Sequence, residues 1–247
     1  MPRRTVVDLA VPKTGRSFVG FAALARLLEI AATTASSEAG FPPEWYMTEG
    51  SVWVIRRSTI ECLSEITSDV PLEICTWVAD FRRVRSIREY EAYRSGMLVL
   101  RARTDWVYVE LRSARPRRVP QAMMNAFVPE GCAALPREPL VIGEAPAVGT
   151  KTLQWSVGVH DLDRLGHVNN AKYFDYVESA AGAVVEEGAK PRLHDVEYVD
   201  EAHGGECLRA AAWLVAATGE AREVATEIRR ATDGAVVTRA RSRFSAG

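Results

Sequence analysis

The sequence of 247 residues has few cysteines, no long apolar run and no excess of either charge, and each shortage excludes a class of protein. Its four cysteines are too far apart to form a compact metal site or a redox pair, so we expect free thiols. No apolar run reaches the roughly 18 residues of a membrane-spanning helix. The formal net charge of -1 gives no general basic excess for binding nucleic acid.

The histidines and the N-terminal residues argue against a metal site and against a signal peptide. His160, His194 and His203, with Asp195, lack the spacing of a compact ligand set, so we predict no metal and no other cofactor. Asp8 interrupts the stretch in which a signal peptide would have its apolar core. The composition, 47% hydrophobic and 26% charged, is that of a globular protein, and we expect it in the cytoplasm.

Hydrophobic periodicity predicts the same order of elements twice: a strand, a helix and four more strands. Apolar residues alternate in the predicted strands and recur every three or four positions in the predicted helices. The first set comprises a strand at residues 3–11, a helix at 19–35 and strands at 51–61, 70–80, 84–93 and 97–111. The second comprises a strand at 151–160, a helix at 170–187 and strands at 193–201, 206–217, 221–231 and 235–244.

Matching residues in the two sets indicate an internal duplication. A Trp follows a Glu by sixteen residues in each half, as Glu61 and Trp77 and again as Glu197 and Trp213. The tetrapeptide at 101–104, Arg-Ala-Arg-Thr, likewise corresponds to Arg-Ala-Arg-Ser at 239–242, and the offset drifts only from 136 to 138 residues. The sequence therefore predicts two copies of one α+β unit.

Each copy is predicted to be an antiparallel sheet wrapped around a long helix, and the two sheets are predicted to join edge to edge. Residues 1–114 would form the N-terminal unit and 151–247 the C-terminal unit. Residues 115–150, which are rich in Pro, Ala and Arg, would form a linker between them.

Polar residues are concentrated in one stretch just before the second helix. Residues 160–170 contain Asp161-Leu162-Asp163 and His167-Val168-Asn169-Asn170. A helix N-terminus presents unpaired backbone N–H groups that can polarise a carbonyl or hold an anion. Residues 12–18, the corresponding stretch of the first copy, contain nothing similar. One unit is therefore expected to carry the chemistry.

These residues resemble the acyl-ACP thioesterases of plants and bacteria. The resemblance rests on residues 161–163, 167–170 and 172–173 of the second copy, and it extends to Phe81-Arg82-Arg83 of the first. It implies a tandem hot-dog fold. It also implies an enzyme that hydrolyses fatty acyl-ACP to free fatty acid and holo-ACP without a cofactor.

The resemblance implies a site made of Asp163, His167 and Glu201. Leu165 stands where the family has an Asn, and Ala202 stands where it has a Cys beside the Glu. A thiolate nucleophile is therefore not expected. We expect Asp163 to attack the thioester or to orient water, Glu201 to activate that water, and His167 to hydrogen-bond the substrate or a carboxylate.

The substrate-binding residues are predicted to be Asn169, Asn170 and Leu165. The backbone N–H groups of the two asparagines would polarise the thioester carbonyl. For both asparagines a capping role is an equal alternative, and Asp161 is interpreted as a turn or capping residue.

The sequence leaves open which carrier holds the acyl group and whether the protein is catalytic. The His-Val-Asn-Asn core also occurs in single hot-dog acyl-CoA thioesterases, so an acyl-CoA or polyketide-type thioesterase is one alternative. A non-catalytic acyl-binding protein is another. The acidic acyl carrier protein would be the partner of an acyl-ACP enzyme, and the arginines at 115, 117 and 118 could dock it. A monomer and a dimer of tandem units are both compatible with the sequence.

Overall fold

The computed structural model describes residues 4–12, 18–68, 70–163 and 165–245, which divide into two compact units. Unit 1 extends to Arg137, and unit 2 begins at Glu138. Two short segments of the first half, Gly20–Ala22 and Thr59–Glu61, group with unit 2. No helix among the described residues is long and apolar enough to cross a membrane.

Unit 1 contains a five-stranded sheet in the order β1-β3-β4-β5-β2, and β1, β3, β4 and β5 pair antiparallel. Its helix α1 buries Leu24, Leu28, Ala31 and Ala35, which recur every three or four positions as an amphipathic helix requires. The strands are β1 Thr5–Leu9, β2 Ser51–Cys62, β3 Leu72–Arg82, β4 Arg85–Arg94 and β5 Met97–Glu110. The helices are α1 Phe21–Glu38, α2 Pro43–Glu49 and α3 Gln121–Ala126.

The two short helices were not predicted from the sequence. Pro42 and Pro43 indicate the end of α1, but a proline at the first helical position also starts α2, where its missing N–H costs nothing. Helix α3 has six residues, too few to show a helical period.

The first part of the predicted linker packs on unit 1. Val119, Met123 and Phe127 are buried in one cluster with Val78 and Tyr108. The backbone of residues 117 and 119 also donates hydrogen bonds to carbonyls of this unit. Residues 115–137 thus cluster with unit 1, and 138–150 cluster with unit 2.

Unit 2 has the sheet order β7-β10-β9-β8-β6 with antiparallel pairing throughout. The elements are β6 Lys151–Ser156, α4 Lys172–Gly182, β7 Lys190–Tyr198, β8 Cys207–Thr218, β9 Ala221–Arg230 and β10 Val236–Ser245. Helix α4 buries Tyr173, Phe174, Val177 and Ala181, which have the spacing of one helix face. It ends at Gly182 rather than near Gly188, and residues 183–189 form turns.

His194 of β7 is a buried, neutral histidine in the core of unit 2. Its ring and that of Phe21 pack edge to face with centroids 4.4 Å apart, and its Nδ1 lies 2.7 Å from Ser242 Oγ. Burial lowers the pKa of His194 to about 3. The imidazole is therefore expected to be uncharged in the folded protein at neutral and mildly acidic pH.

We expect His194 to make unit 2 less stable in acid. Below pH 6.5 the unfolded chain binds a proton at this residue that the folded chain does not, so stability falls as the pH falls towards 3. At pH 5 the loss is about 2 kcal/mol relative to pH 8. The double variant His194→Phe/Ser242→Ala keeps an aromatic ring and leaves no hydroxyl unpaired. Urea unfolding at pH 8 and pH 5 should show a smaller acid loss in this variant, and equal losses would contradict the assignment.

Candidate functional site

Asp161 helps to shape the loop between β6 and α4. It ends a short 3-10 turn, Val159–Asp161, and its Oδ2 accepts a hydrogen bond of 2.9 Å from the N–H of Gly158. Lys172 Nζ lies 3.3 Å from Asp161 Oδ1. Burial would raise the pKa of Asp161, but these hydrogen bonds and the lysine charge outweigh it and hold the pKa below its usual value. The geometry fits the turn and capping role.

Asp163 holds the tip of the loop with one of its two carboxylate oxygens. Its Oδ1 accepts hydrogen bonds from the N–H groups of Leu165, at 2.8 Å, and His167, at 3.2 Å. Gly166, with φ of 83°, permits the tight turn between them. The side chain of Asp163 is exposed, and its Oδ2 has no hydrogen-bond partner among residues 4–12, 18–68, 70–163 and 165–245. That oxygen remains able to bind water or substrate.

The two asparagines differ in how they can act. The N–H of Asn169 donates to the carbonyl of Asp161 at 2.8 Å, and its Oδ1 accepts from the N–H of Ala171 at 2.9 Å. Asn169 is therefore engaged within the loop. The carbonyl of Asn170 accepts from the Tyr198 hydroxyl at 3.1 Å, while its N–H has no acceptor in the described part of the chain. Of the two backbone amides, the one of Asn170 is available to a substrate.

The loop after β7 brings Glu201 beside His167. Val168 N–H donates to the Ala202 carbonyl at 2.8 Å, and His167 pairs with His203 in an isolated antiparallel bridge. Glu201 Oε2 lies 3.5 Å from His167 Nε2. The two residues are 34 positions apart in the sequence, so their proximity is a product of the tertiary fold rather than of local spacing.

Arg230 fixes the backbone of the Glu201 loop. Its Nη2 lies 2.6 Å from Asp200 Oδ2 and donates to the carbonyl of Glu201 at 3.0 Å. The N–H of Glu201 in turn donates to Asp200 Oδ1 at 3.0 Å. Arg230 was not predicted, because its role depends on where the end of β9 meets this loop.

Two positions at which the sequence departs from the family pattern, 165 and 202, carry apolar side chains. Leu165 is 58% exposed at the loop tip, so it offers an apolar surface where the family has an amide side chain. Ala202 is 1% exposed, and a side chain at this position faces the protein interior. The four cysteines are free thiols.

The sequence also failed to single out His203 as a neighbour of the predicted site. Its ring centroid lies 4.9 Å from that of His167, with the two rings edge to face. The available signal was its position two residues after Glu201, which places both side chains on the same side of an extended segment.

Comparison with family models gives two matches that together span most of the chain. A model of the acyl-ACP thioesterase N-terminal domain matches residues 18–127. A model of the acyl-ACP thioesterase C-terminal domain matches residues 145–246. Comparison with curated proteins gives no match.

Solved structures show the same fold along the whole chain. An acyl-ACP thioesterase from Bacteroides thetaiotaomicron has a TM-score of 0.82 and 17% identity, covering 98% of this chain and 98% of its own. The 12:0-ACP thioesterase from Umbellularia californica has a TM-score of 0.80 and 17% identity, covering 99% of this chain and 98% of its own. At this identity the likeness establishes the fold alone, and it confirms the predicted tandem hot-dog architecture.

Proposed function

The chain belongs to the acyl-ACP thioesterase family and is a thioester hydrolase, and on this basis we propose that Asp163, His167 and Glu201 hydrolyse a fatty acyl-ACP to free fatty acid and holo-ACP. The observation that carries the assignment is the 3.5 Å approach of Glu201 to His167. These two side chains come from different segments and meet beside the loop that Asp163 organises. Unit 1 has no counterpart of this loop in its sequence.

The reaction breaks the C–S bond of the thioester and forms a C–O bond from water. Glu201 accepts a proton from that water, and the free Oδ2 of Asp163 orients the water. His167 hydrogen-bonds the substrate or the Glu201 carboxylate. The N–H of Asn170 donates to the carbonyl oxygen as it gains charge. The leaving thiolate of the carrier takes up the proton and gives holo-ACP.

A panel of substrates tests the proposal. Purified protein is incubated with acyl-ACP and acyl-CoA of graded chain length, and the released thiol is measured. Faster release from acyl-ACP than from acyl-CoA is expected. A preference for acyl-CoA would favour the acyl-CoA alternative, and no release from any substrate would favour an acyl-binding protein.

The partner surface is proposed to include Arg115 and Arg118. Both are exposed, and their side chains make no hydrogen bond or ion pair with any described residue. Arg117 differs, because its Nη1 lies 2.6 Å from Ser51 Oγ and it donates to the Glu49 carbonyl at 2.9 Å. Arg115 and Arg118 are therefore the pair that can meet an acidic carrier protein without losing contacts of the fold.

Charge reversal at this pair should weaken the reaction with the carrier protein only. We expect Arg115→Glu/Arg118→Glu to raise KM for acyl-ACP about 10-fold, because electrostatic attraction speeds encounter. An acyl-N-acetylcysteamine thioester carries no charge, and its KM should not change. Steady-state kinetics with both substrates measure the two KM values. Arg209→Glu, a charge reversal at an exposed position on β8, is the control. Equal effects on both substrates would contradict the docking role.

The cellular site of the reaction is proposed to be the cytoplasm. The free thiols at Cys62, Cys75, Cys132 and Cys207 fit a reducing compartment.

A further inference from the structure

His167, Glu201 and His203 form a cluster with the donor atoms of a metal site. One donor atom from each residue lies within 4.8 Å of the other two. Among the described residues this is the one group of His, Cys, Asp and Glu side chains that is close enough to share an ion. We refer to these three residues as the His-Glu-His cluster.

Two imidazoles and a carboxylate are a zinc donor set. Zn²⁺ binds imidazole nitrogen and carboxylate oxygen at roughly 2.0–2.2 Å, which places neighbouring donors of a tetrahedral site about 3.4 Å apart. His167 Nε2 and Glu201 Oε2 are already 3.5 Å apart. The donor atom of His203 lies within 4.8 Å of the other two, so it has to approach by up to about 1.4 Å. A side chain that is 52% exposed has room to do so by rotation.

The backbone holds the three side chains on one side of the loops. His167 and His203 are directly opposite each other in an antiparallel bridge. Glu201 and His203 are two residues apart in an extended segment, so both project to the same side. The hydrogen bond from Val168 N–H to the Ala202 carbonyl locks the two segments between these positions.

A further carboxylate is placed behind His203. Glu206 Oε1 lies 3.8 Å from His203 Nδ1, and Glu206 Oε2 accepts the backbone N–H of His203 at 3.0 Å. Histidines that bind metal commonly direct their second ring nitrogen to a carboxylate, which fixes the ring and strengthens it as a ligand. Glu206 lies on the Nδ1 side of the His203 ring, and Nε2 is the nitrogen that we assign to the ion.

We propose that the His-Glu-His cluster binds one Zn²⁺ and that zinc inhibits the hydrolase. Zinc engages the Nε2 of His167 and the carboxylate of Glu201, and so withdraws from the reaction the groups that orient the substrate and activate water. The inhibition rests on the proposed function, whereas the binding does not. Mg²⁺ has no such effect, since it prefers an octahedral shell of oxygen ligands.

Zinc binding is tested by calorimetry on the full chain. All proteins carry Cys132→Ser, because the thiol of Cys132 is exposed and could bind zinc itself. We expect one Zn²⁺ per chain, and at least about 10-fold weaker binding in His203→Asn, which loses one of three ligands. His160→Asn removes an exposed histidine of the same region and should bind as tightly as the parent. Equal binding by His203→Asn and the parent would overturn the site.

Inhibition is tested separately by thiol release from acyl-ACP. The parent should lose activity as zinc saturates the site and recover it when EDTA is added. His203→Asn should have the parent's activity without zinc and require at least about 10-fold more zinc for the same inhibition. One-to-one binding without inhibition, or with activation, would overturn the inhibitory role. Absence of hydrolysis before zinc is added would instead contradict the proposed function and leave the calorimetric result standing.

Discussion

Replacement of Asp163 by asparagine is expected to lower kcat/KM for acyl-ACP by about 10² to 10⁴-fold, the range usual for loss of a positioned catalytic group. The substitution is informative because asparagine keeps an Oδ1. That oxygen can still accept the N–H groups of Leu165 and His167, so the loop retains its shape. What is lost is the negative charge and the free oxygen, Oδ2.

Asp161→Asn is the matched control for this prediction. It makes the same chemical change two residues away, on a carboxylate that accepts the Gly158 N–H and faces Lys172. Its expected effect on kcat/KM is less than about 10-fold, because its carboxylate is engaged within the loop by Gly158 and Lys172 and an amide oxygen can keep the Gly158 hydrogen bond. Steady-state kinetics on both variants, with circular dichroism to confirm folding, separate the two roles. Comparable losses in both variants would contradict the assignment of Asp163.

Most of the fold could be predicted from short-range patterns of apolar and polar residues in the sequence. Alternation and helical periodicity predicted ten strands and two long helices, and their observed bounds differ from the predicted ones by a few residues at most ends. The duplication defines the two units, which periodicity alone does not. The evidence for it is the Glu–Trp spacing of sixteen residues and the repeated tetrapeptide, and neither needs knowledge of contacts. The short helices α2 and α3 were missed since neither is long enough to show a period.

The candidate site could be predicted only where its residues are close together in the sequence. Asp163, His167 and the asparagines lie within eight residues, and the resemblance supplied Glu201. His203 and Arg230 were missed because their positions depend on two loops and a strand end that meet in space. The hydrogen bond from Arg230 to the Glu201 carbonyl, for example, could not be predicted from the spacing of these residues in the sequence.

The duplication also predicts equivalent residues without predicting equivalent contacts. Arg103 and Arg241 occupy the same place in the repeated tetrapeptide, and Glu227 follows Glu89 by 138 residues. Yet Glu89 is opposite Arg103 in unit 1, whereas Glu227 is opposite Arg239 in unit 2. The difference is already present at the turns, where two residues separate Arg94 from Met97 in unit 1 and six separate Arg229 from Val236 in unit 2. The strand faces are kept, since side chains alternate with a period of two.

The ion pair between Arg103 and Glu89 in unit 1 is buried and belongs to a hydrogen-bond network. Arg103 Nε lies 2.6 Å from Glu89 Oε1, and the Glu89 side chain is 0% exposed. Arg103 also donates to the Leu135 carbonyl at 2.6 Å, and Glu89 Oε2 accepts the N–H of Ala134 at 3.1 Å. The pair therefore fastens residues 134 and 135 of the predicted linker to unit 1.

Arg103→Met is expected to lower the free energy of unfolding by about 3–5 kcal/mol, because it leaves the Glu89 carboxylate buried without its counter-charge. Burial already raises the pKa of Glu89 against the pull of Arg103, and removal of the arginine raises it further. The folded variant then takes up a proton that the unfolded chain releases, so its deficit should be smaller at pH 5 than at pH 8. Urea unfolding followed by Trp fluorescence measures both quantities.

Arg239→Met provides the matched control in the other unit. Its partner Glu227 also pairs with Arg229, and the Arg239 side chain is 43% exposed, so the expected loss is about 1 kcal/mol or less. Adding Glu89→Gln to Arg103→Met should recover part of the lost stability, since a neutral amide can still accept the Ala134 N–H without a buried charge. A cost that is equal at positions 103 and 239, or that is unchanged by Glu89→Gln, would mean that packing of the arginine stem rather than the buried charge sets the stability of unit 1.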